Sequence, residues 1–142
     1  MNFLKIDALS GEHPQFTNTQ IRNFLYTHLE EYGDEKFEID LCLEYVYNKG
    51  GFITIAYEGD TIKGIVVMNE TGMKAYIPEN ILVYIAVHES QRGKGVGKKL
   101  MEKAIETAKG SIALHVEPDN PAKRLYERLG FTNKYLEMRL QK

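Results

Sequence analysis

Ile81-Leu82-Val83-Tyr84-Ile85-Ala86-Val87 leads, through His88-Glu89-Ser90, into Gln91-Arg92-Gly93-Lys94-Gly95-Val96-Gly97-Lys98-Lys99, and this junction decides the fold. The first seven residues are apolar at odd and even positions alike, the pattern of a strand buried on both faces of a sheet. Past the glycines, Val96, Leu100, Ala104 and Ala108, with Met101 and Ile105 beside them, recur at helical spacing until Gly110. Ser111 to Val116 then reads as another strand. A strand, a helix and a strand in that order predict a right-handed parallel crossover, and hence an α/β chain.

Upstream, Phe3 to Leu9 suggests a short first strand, closed by the loop residues Ser10-Gly11-Glu12-His13-Pro14. Ile21, Phe24, Leu25, Leu29 and Tyr32 mark an amphipathic helix from Thr17 that Gly33 would stop. Phe37, Leu41 and Tyr45, flanked by Cys42 and Val46, mark a second, ending at Asn48-Lys49-Gly50-Gly51. The period then changes: Phe52 to Tyr57 and Lys63 to Met68 are β-rich and enclose Glu58-Gly59-Asp60, as in a hairpin. Downstream, Asn120 as cap, Pro121 at the first helical position and the face Ala122, Leu125, Tyr126, Leu129 predict a helix of about ten residues, which Gly130 stops. Lys134 to Leu140 reads as a final strand.

At 142 residues the chain has room for one domain, 1–142, since halves of it would bury too little. Hydrophobic residues at 43% and charged ones at 27% exclude a disordered composition. A net charge of −2 lacks the positive field that draws proteins to nucleic acid or anionic membrane, so neither is expected as a partner. The longest apolar run, Ile81–Val87, is far too short to span a bilayer, and residues 1–7 lack a leader pattern. The single cysteine, Cys42, can form no internal disulfide, in keeping with a cytoplasmic location.

Three alternating glycines before a helix leave backbone N–H groups open to close approach at the positive end of its dipole, an arrangement that cradles phosphate. The spacing fits neither nucleotide motif. A Walker loop would need glycine at Arg92 and Ser or Thr at Lys99, and a dinucleotide fingerprint would need glycine at Lys98.

Arg92-x-x-Gly95-x-Gly97 after an apolar strand, then Asn120 and Leu125-Tyr126-Glu127-x-Leu129-Gly130-Phe131, resembles the GNAT superfamily of acetyl-CoA-dependent N-acetyltransferases, closely over Asn80 to Phe131. The resemblance implies a mixed, mostly antiparallel central sheet with a splayed parallel strand pair, flanked by helices. It implies acetyl-CoA as cosubstrate, a small-molecule or peptide amine as acceptor, and commonly a homodimer. Ile85, Ala86 and Val87 match the strand end that binds the pantetheine arm and polarises the thioester carbonyl. Arg92, Gly93, Lys94, Gly95, Val96 and Gly97, with Lys98 beside them, match the loop that holds the pyrophosphate. Asn120 matches a position that touches pantetheine, although the stretch from Asn120 to Ala122 is one residue shorter than in many members. Tyr126 matches the tyrosine that protonates the departing thiolate.

The chemistry asks for the same groups. Acyl transfer from a thioester develops an oxyanion and a thiolate, so a fixed donor and a proton source are needed. A phenol, ordinarily titrating near 10, keeps its proton at neutral pH; Tyr126 could equally be a core residue of its helical face. The attacking amine must lose a proton. His115, in the fifth strand where some members carry a glutamate base, is the candidate base, with Glu79, Tyr84 or water as alternatives. No His pair has metal-ligand spacing, so no metal is expected.

Charge is uneven. Glu30 to Glu44 holds seven acids against Lys36, and Gln91 to Lys109 six bases against Glu102 and Glu106. The basic run suits a polyphosphate, and the acidic run would suit a cationic acceptor or simply be solvated helix surface. The rival to an enzyme is a noncatalytic acyl-CoA-binding regulatory module.

Overall fold

The computed structural model describes residues 1–142. Five strands form one sheet in the order β1-β2-β3-β4-β5: β1 (Asn2–Ile6), β2 (Gly51–Glu58), β3 (Thr61–Glu70), β4 (Asn80–Val87) and β5 (Ile112–Leu114). The first four are antiparallel to their neighbours, whereas β4 and β5 run parallel, joined by α3 (Val96–Thr107). The mostly antiparallel sheet with one parallel pair is therefore present. β4 is interior but second from the edge; β3 holds the middle.

Two helices cover one face. α1 (Asn18–Leu29) opens with a capping box in which the Thr17 hydroxyl accepts from the Gln20 N–H and the Gln20 side chain accepts from the Thr17 N–H. α2 (Lys36–Asn48) opens with the same device built from Glu35 and Glu38. Their buried residues, Ile21, Leu25, Ile39 and Leu43 among them, pack on Ile53 and Ile65 of the sheet. α3 and the short α4 (Lys123–Arg128) cover the other face, where Leu100, Met101 and Tyr126 pack on Val66 and Met68. α3 comes so close that a Cβ on Gly64 of β3 would stand 2.7 Å from Leu100 Cδ1. Only glycine fits there without displacing a fully buried leucine.

Several expectations are corrected. The first helix does not run to Tyr32: it stops at Leu29, Glu30 turns to φ 55°, and Glu30–Tyr32 form a single 3-10 turn before Gly33. The predicted strand 111–116 shortens to Ile112–Leu114, and the ten-residue last helix to Lys123–Arg128. There the Asn120 side chain accepts the Ala122 N–H at 2.9 Å, and this local turn occupies the first residues of the expected helix. The final strand 134–140 does not form. Leu136, Met138 and Leu140 are more than four-fifths exposed, and β5 stands as an edge paired only with β4. An alternating pattern supplies strand propensity, but pairing depends on a partner that sequence position does not specify. No helix is long and apolar enough to cross a membrane.

Candidate active site

The junction that decides the fold also builds the site. β4 carries a bulge: Tyr84 pairs with Val67 and Leu82 with Met68, so Val83 is left over. One extra residue reverses the side-chain alternation. Leu82 therefore points into the α3 face, while Tyr84 and Ala86 point towards α1 and α2. β5 follows β4 only along Asn80–Leu82, and past Leu82 the two parallel strands have no pairing. The His88 N–H donates to the Lys63 carbonyl of β3 at 2.9 Å. By alternation the backbone of Ala86 also faces β3, and that of Ile85 and Val87 faces the gap where β5 has separated.

At the far end of β4, Glu89–Gln91 form a 3-10 turn, and Gly93 and Gly95 adopt left-handed φ of 79° and 82°. Nothing lies within 4 Å of a Cβ built on either, so their backbone stands bare to solvent. Gly95 caps α3 without a side-chain bond, and the N–H groups of Val96, Gly97 and Lys98 have no carbonyl before them to accept. Lys94, Lys98 and Lys99 are exposed around this end and enter none of the ion pairs. A Cβ on Gly97 would stand 3.6 Å from both Leu125 Cδ2 and Val87 Cγ2, so the loop, the end of β4 and α4 converge. The donor set and the uncovered backbone suit an anionic, phosphate-bearing ligand.

The Arg92 side chain is engaged within the fold. Its guanidinium donates to Glu30 Oε1 at 2.9 Å, to the His28 carbonyl at 3.0 Å and to the Val87 carbonyl at 3.3 Å. It thereby satisfies a carbonyl orphaned where α1 ends.

Tyr126, beside Leu125 on α4, packs its ring with Leu82 and Val96 and meets Phe131 edge-on at 6.0 Å. Its hydroxyl has no partner within the chain, yet no buried side-chain polar atom is left unsatisfied, so that oxygen still reaches solvent. Burial pushes the phenol up to about 12. His115 is exposed, one residue past β5 and free of hydrogen bonds within the chain. Asn120 is half-buried; its side-chain oxygen is used by Ala122, which leaves its amide NH2 free. Glu79 is structural: it accepts the Ser111 N–H at 2.9 Å, and that bond holds its carboxyl below the usual range. It ties the entrances of β4 and β5 together, away from the glycine loop.

Sequence reading did not find the contacts of residues 28–34. Besides the Arg92 bonds, the Tyr32 hydroxyl donates to the Asp119 carbonyl at 3.3 Å, and the Tyr84 hydroxyl donates to Asp34 Oδ2 at 2.6 Å. The link between α1 and α2 thus touches β4, the glycine loop and the segment after β5, and so spans the gap. These contacts reach across 50 to 87 residues and leave no local signal.

Residues 13–131 match the model of the Acetyltransferase (GNAT) family. The chain belongs to that family. It is also 37% identical, over 91 residues, to the 5-NmdU N-acetyltransferase of Pseudomonas phage PaMx11, a match covering 63% of this chain and 62% of that protein. A transcriptional regulator from Bacillus halodurans C-125 is similar in fold, with TM-score 0.71 at 20% identity, over 99% of this chain and 100% of its own. So is the ribosomal-protein-alanine N-acetyltransferase of Brucella melitensis biovar Abortus 2308, with TM-score 0.67 at 16% identity, over 100% of this GNAT chain and 99% of its own.

Proposed function

We propose that this GNAT protein, acting as one domain over residues 1–142, transfers an acetyl group from acetyl-CoA to a primary amine by direct attack in a ternary complex. The observation that carries the reading is the gap between β4 and β5, lined by unpaired backbone of Ile85 and ending at the bare N-terminus of α3. In this reading the amides of Gly93 to Lys98 and the lysines around them hold the pyrophosphate, and Ile85, Val87 and Asn120 line the pantetheine path. Acetyl-CoA supplies an activated thioester. The amine nitrogen bonds to the carbonyl carbon, the Ile85 N–H donates to the developing oxyanion, and the C–S bond breaks as the Tyr126 hydroxyl gives its proton to sulfur. The proton shed by the amine passes to His115 or to water. Direct attack is favoured because burial pushes the Cys42 thiol up to about 12, which leaves no thiolate at neutral pH to carry the acyl group. A reduced Cys42 and this donor both suit the cytoplasm.

The relative's name makes 5-NmdU the first acceptor to try. A panel of 5-NmdU, a lysine peptide, a polyamine and an amino sugar, assayed by thiol release from acetyl-CoA with product mass, tests the reading. Acetylation of a panel amine is expected. Acetyl-CoA binding with no turnover would instead favour the noncatalytic acyl-CoA-binding module.

A further inference from the structure

The acidic run from Glu30 to Glu44 is not a uniform patch. Glu30 is paired with Arg92, and Asp40 with Arg22 at 3.2 Å. Glu35 and Glu38 are spent on the capping box of α2, and Lys36 lies over the Tyr26 ring. Asp34 differs from all of these. It is exposed, it enters none of the ion pairs, and its Oδ2 is held at 2.6 Å by the hydroxyl of Tyr84, a side chain only 6% exposed. Its Oδ1 has no partner within the chain. A carboxylate fixed by a buried donor from the sheet, yet without a cation, has lost side-chain freedom and gained no counter-charge.

The location adds to this. Tyr84 directly follows the bulge and directly precedes Ile85, in the part of β4 that β5 has left. The bulge aims its ring at the α1–α2 side, and the link carrying Asp34 crosses the mouth of the gap. Asp34 is thereby tied to the residue that directly precedes Ile85 in β4.

We infer that Asp34 receives the ammonium group of the acceptor and that Tyr84 is a positioning residue that holds the carboxylate for it. The inference rests on the acetyltransferase reading and narrows the acceptor to a cationic primary amine. Asp34 Oδ1 accepts from the ammonium while Oδ2 keeps the Tyr84 bond, so the nitrogen is fixed at the gap before its proton leaves.

The test uses the full chain and whichever panel amine the parent acetylates. Asp34→Asn keeps the shape and the Tyr84 bond but removes the charge; it should raise the acceptor KM about 10-fold or more and leave the acetyl-CoA KM unchanged. Tyr84→Phe keeps the charge but frees the carboxylate, and should raise the acceptor KM by a smaller factor. Asp34→Glu should recover part of the loss. A merely structural pair would change the melting temperature and both KM values together. Parental acceptor KM in Asp34→Asn overturns the inference with the acetyltransferase reading intact, whereas a parent that acetylates no panel amine overturns both.

Discussion

Tyr126 occupies two roles that one oxygen atom separates. Its ring is part of the packed face under α4, and its hydroxyl makes no bond that the fold needs. Tyr126→Phe should therefore fold and bind acetyl-CoA as the parent does, with kcat lower by about 10²-fold, the lower end for a lost general acid because thiolate is already a fair leaving group. Parental kcat would return Tyr126 to the core. The raised phenol carries a second consequence. Above pH 10 the unfolded chain loses this proton while the folded chain keeps it until about 12, so folding binds a proton and stability falls across that interval. The loss is of order 2 to 3 kcal/mol. Urea titrations of parent and Tyr126→Phe at pH 8 and 11 should show the variant losing less. Below pH 10 both retain the neutral ring, and no difference in pH dependence is expected.

Among the elements, α3 has the tightest fit. Its approach to β3 depends on Gly64, where a side chain would press on Leu100 and stand 3.3 Å from the Ala86 carbonyl of β4. Gly64→Val should cost about 1 to 3 kcal/mol by overpacking, read as a lower denaturant midpoint with unchanged slope. It should also weaken acetyl-CoA binding, because the helix it displaces begins at the glycine loop. A variant with the parental midpoint would mean that α3 can lift off the sheet without penalty. The helices themselves were legible from local chemistry: apolar spacing along α1, α2 and α3, and the glycine that caps the start of α3. Their limits were less so. α1 stops at Leu29, where Arg92 takes the His28 carbonyl, and α4 is preceded by a turn in which Asn120 accepts the Ala122 N–H.

Over the whole molecule, Arg92 joins the two halves of the site. It links the loop after β4 to the end of α1, 62 residues away in sequence, through an ion pair roughly half exposed on both sides. Such a pair contributes little to global stability, about 0 to 1 kcal/mol, and its effect is local. Arg92→Met should leave the melting temperature within a few degrees while amide exchange over residues 28–33 quickens, since those residues would lose their tie across the gap. Unchanged exchange there would show that the link is held by Tyr32 and Asp34 alone.

Local order decided much of this GNAT chain in advance: a strand apolar at every position, a glycine turn, an amphipathic helix and a second strand can connect in few ways, and the glycine loop follows from residues adjacent in sequence. Tertiary structure decided the remainder. The bulge at Val83 chooses the face on which Tyr84 emerges, the pairing of Tyr84 with Asp34 singles out one carboxylate among seven, and residues 134–140 stay unpaired although the outer edge of β5 is free. Each outcome depends on register or on a partner tens of residues distant. Helical and strand periodicity report which face of a segment is apolar, but a single inserted residue or an absent neighbour changes what that face meets.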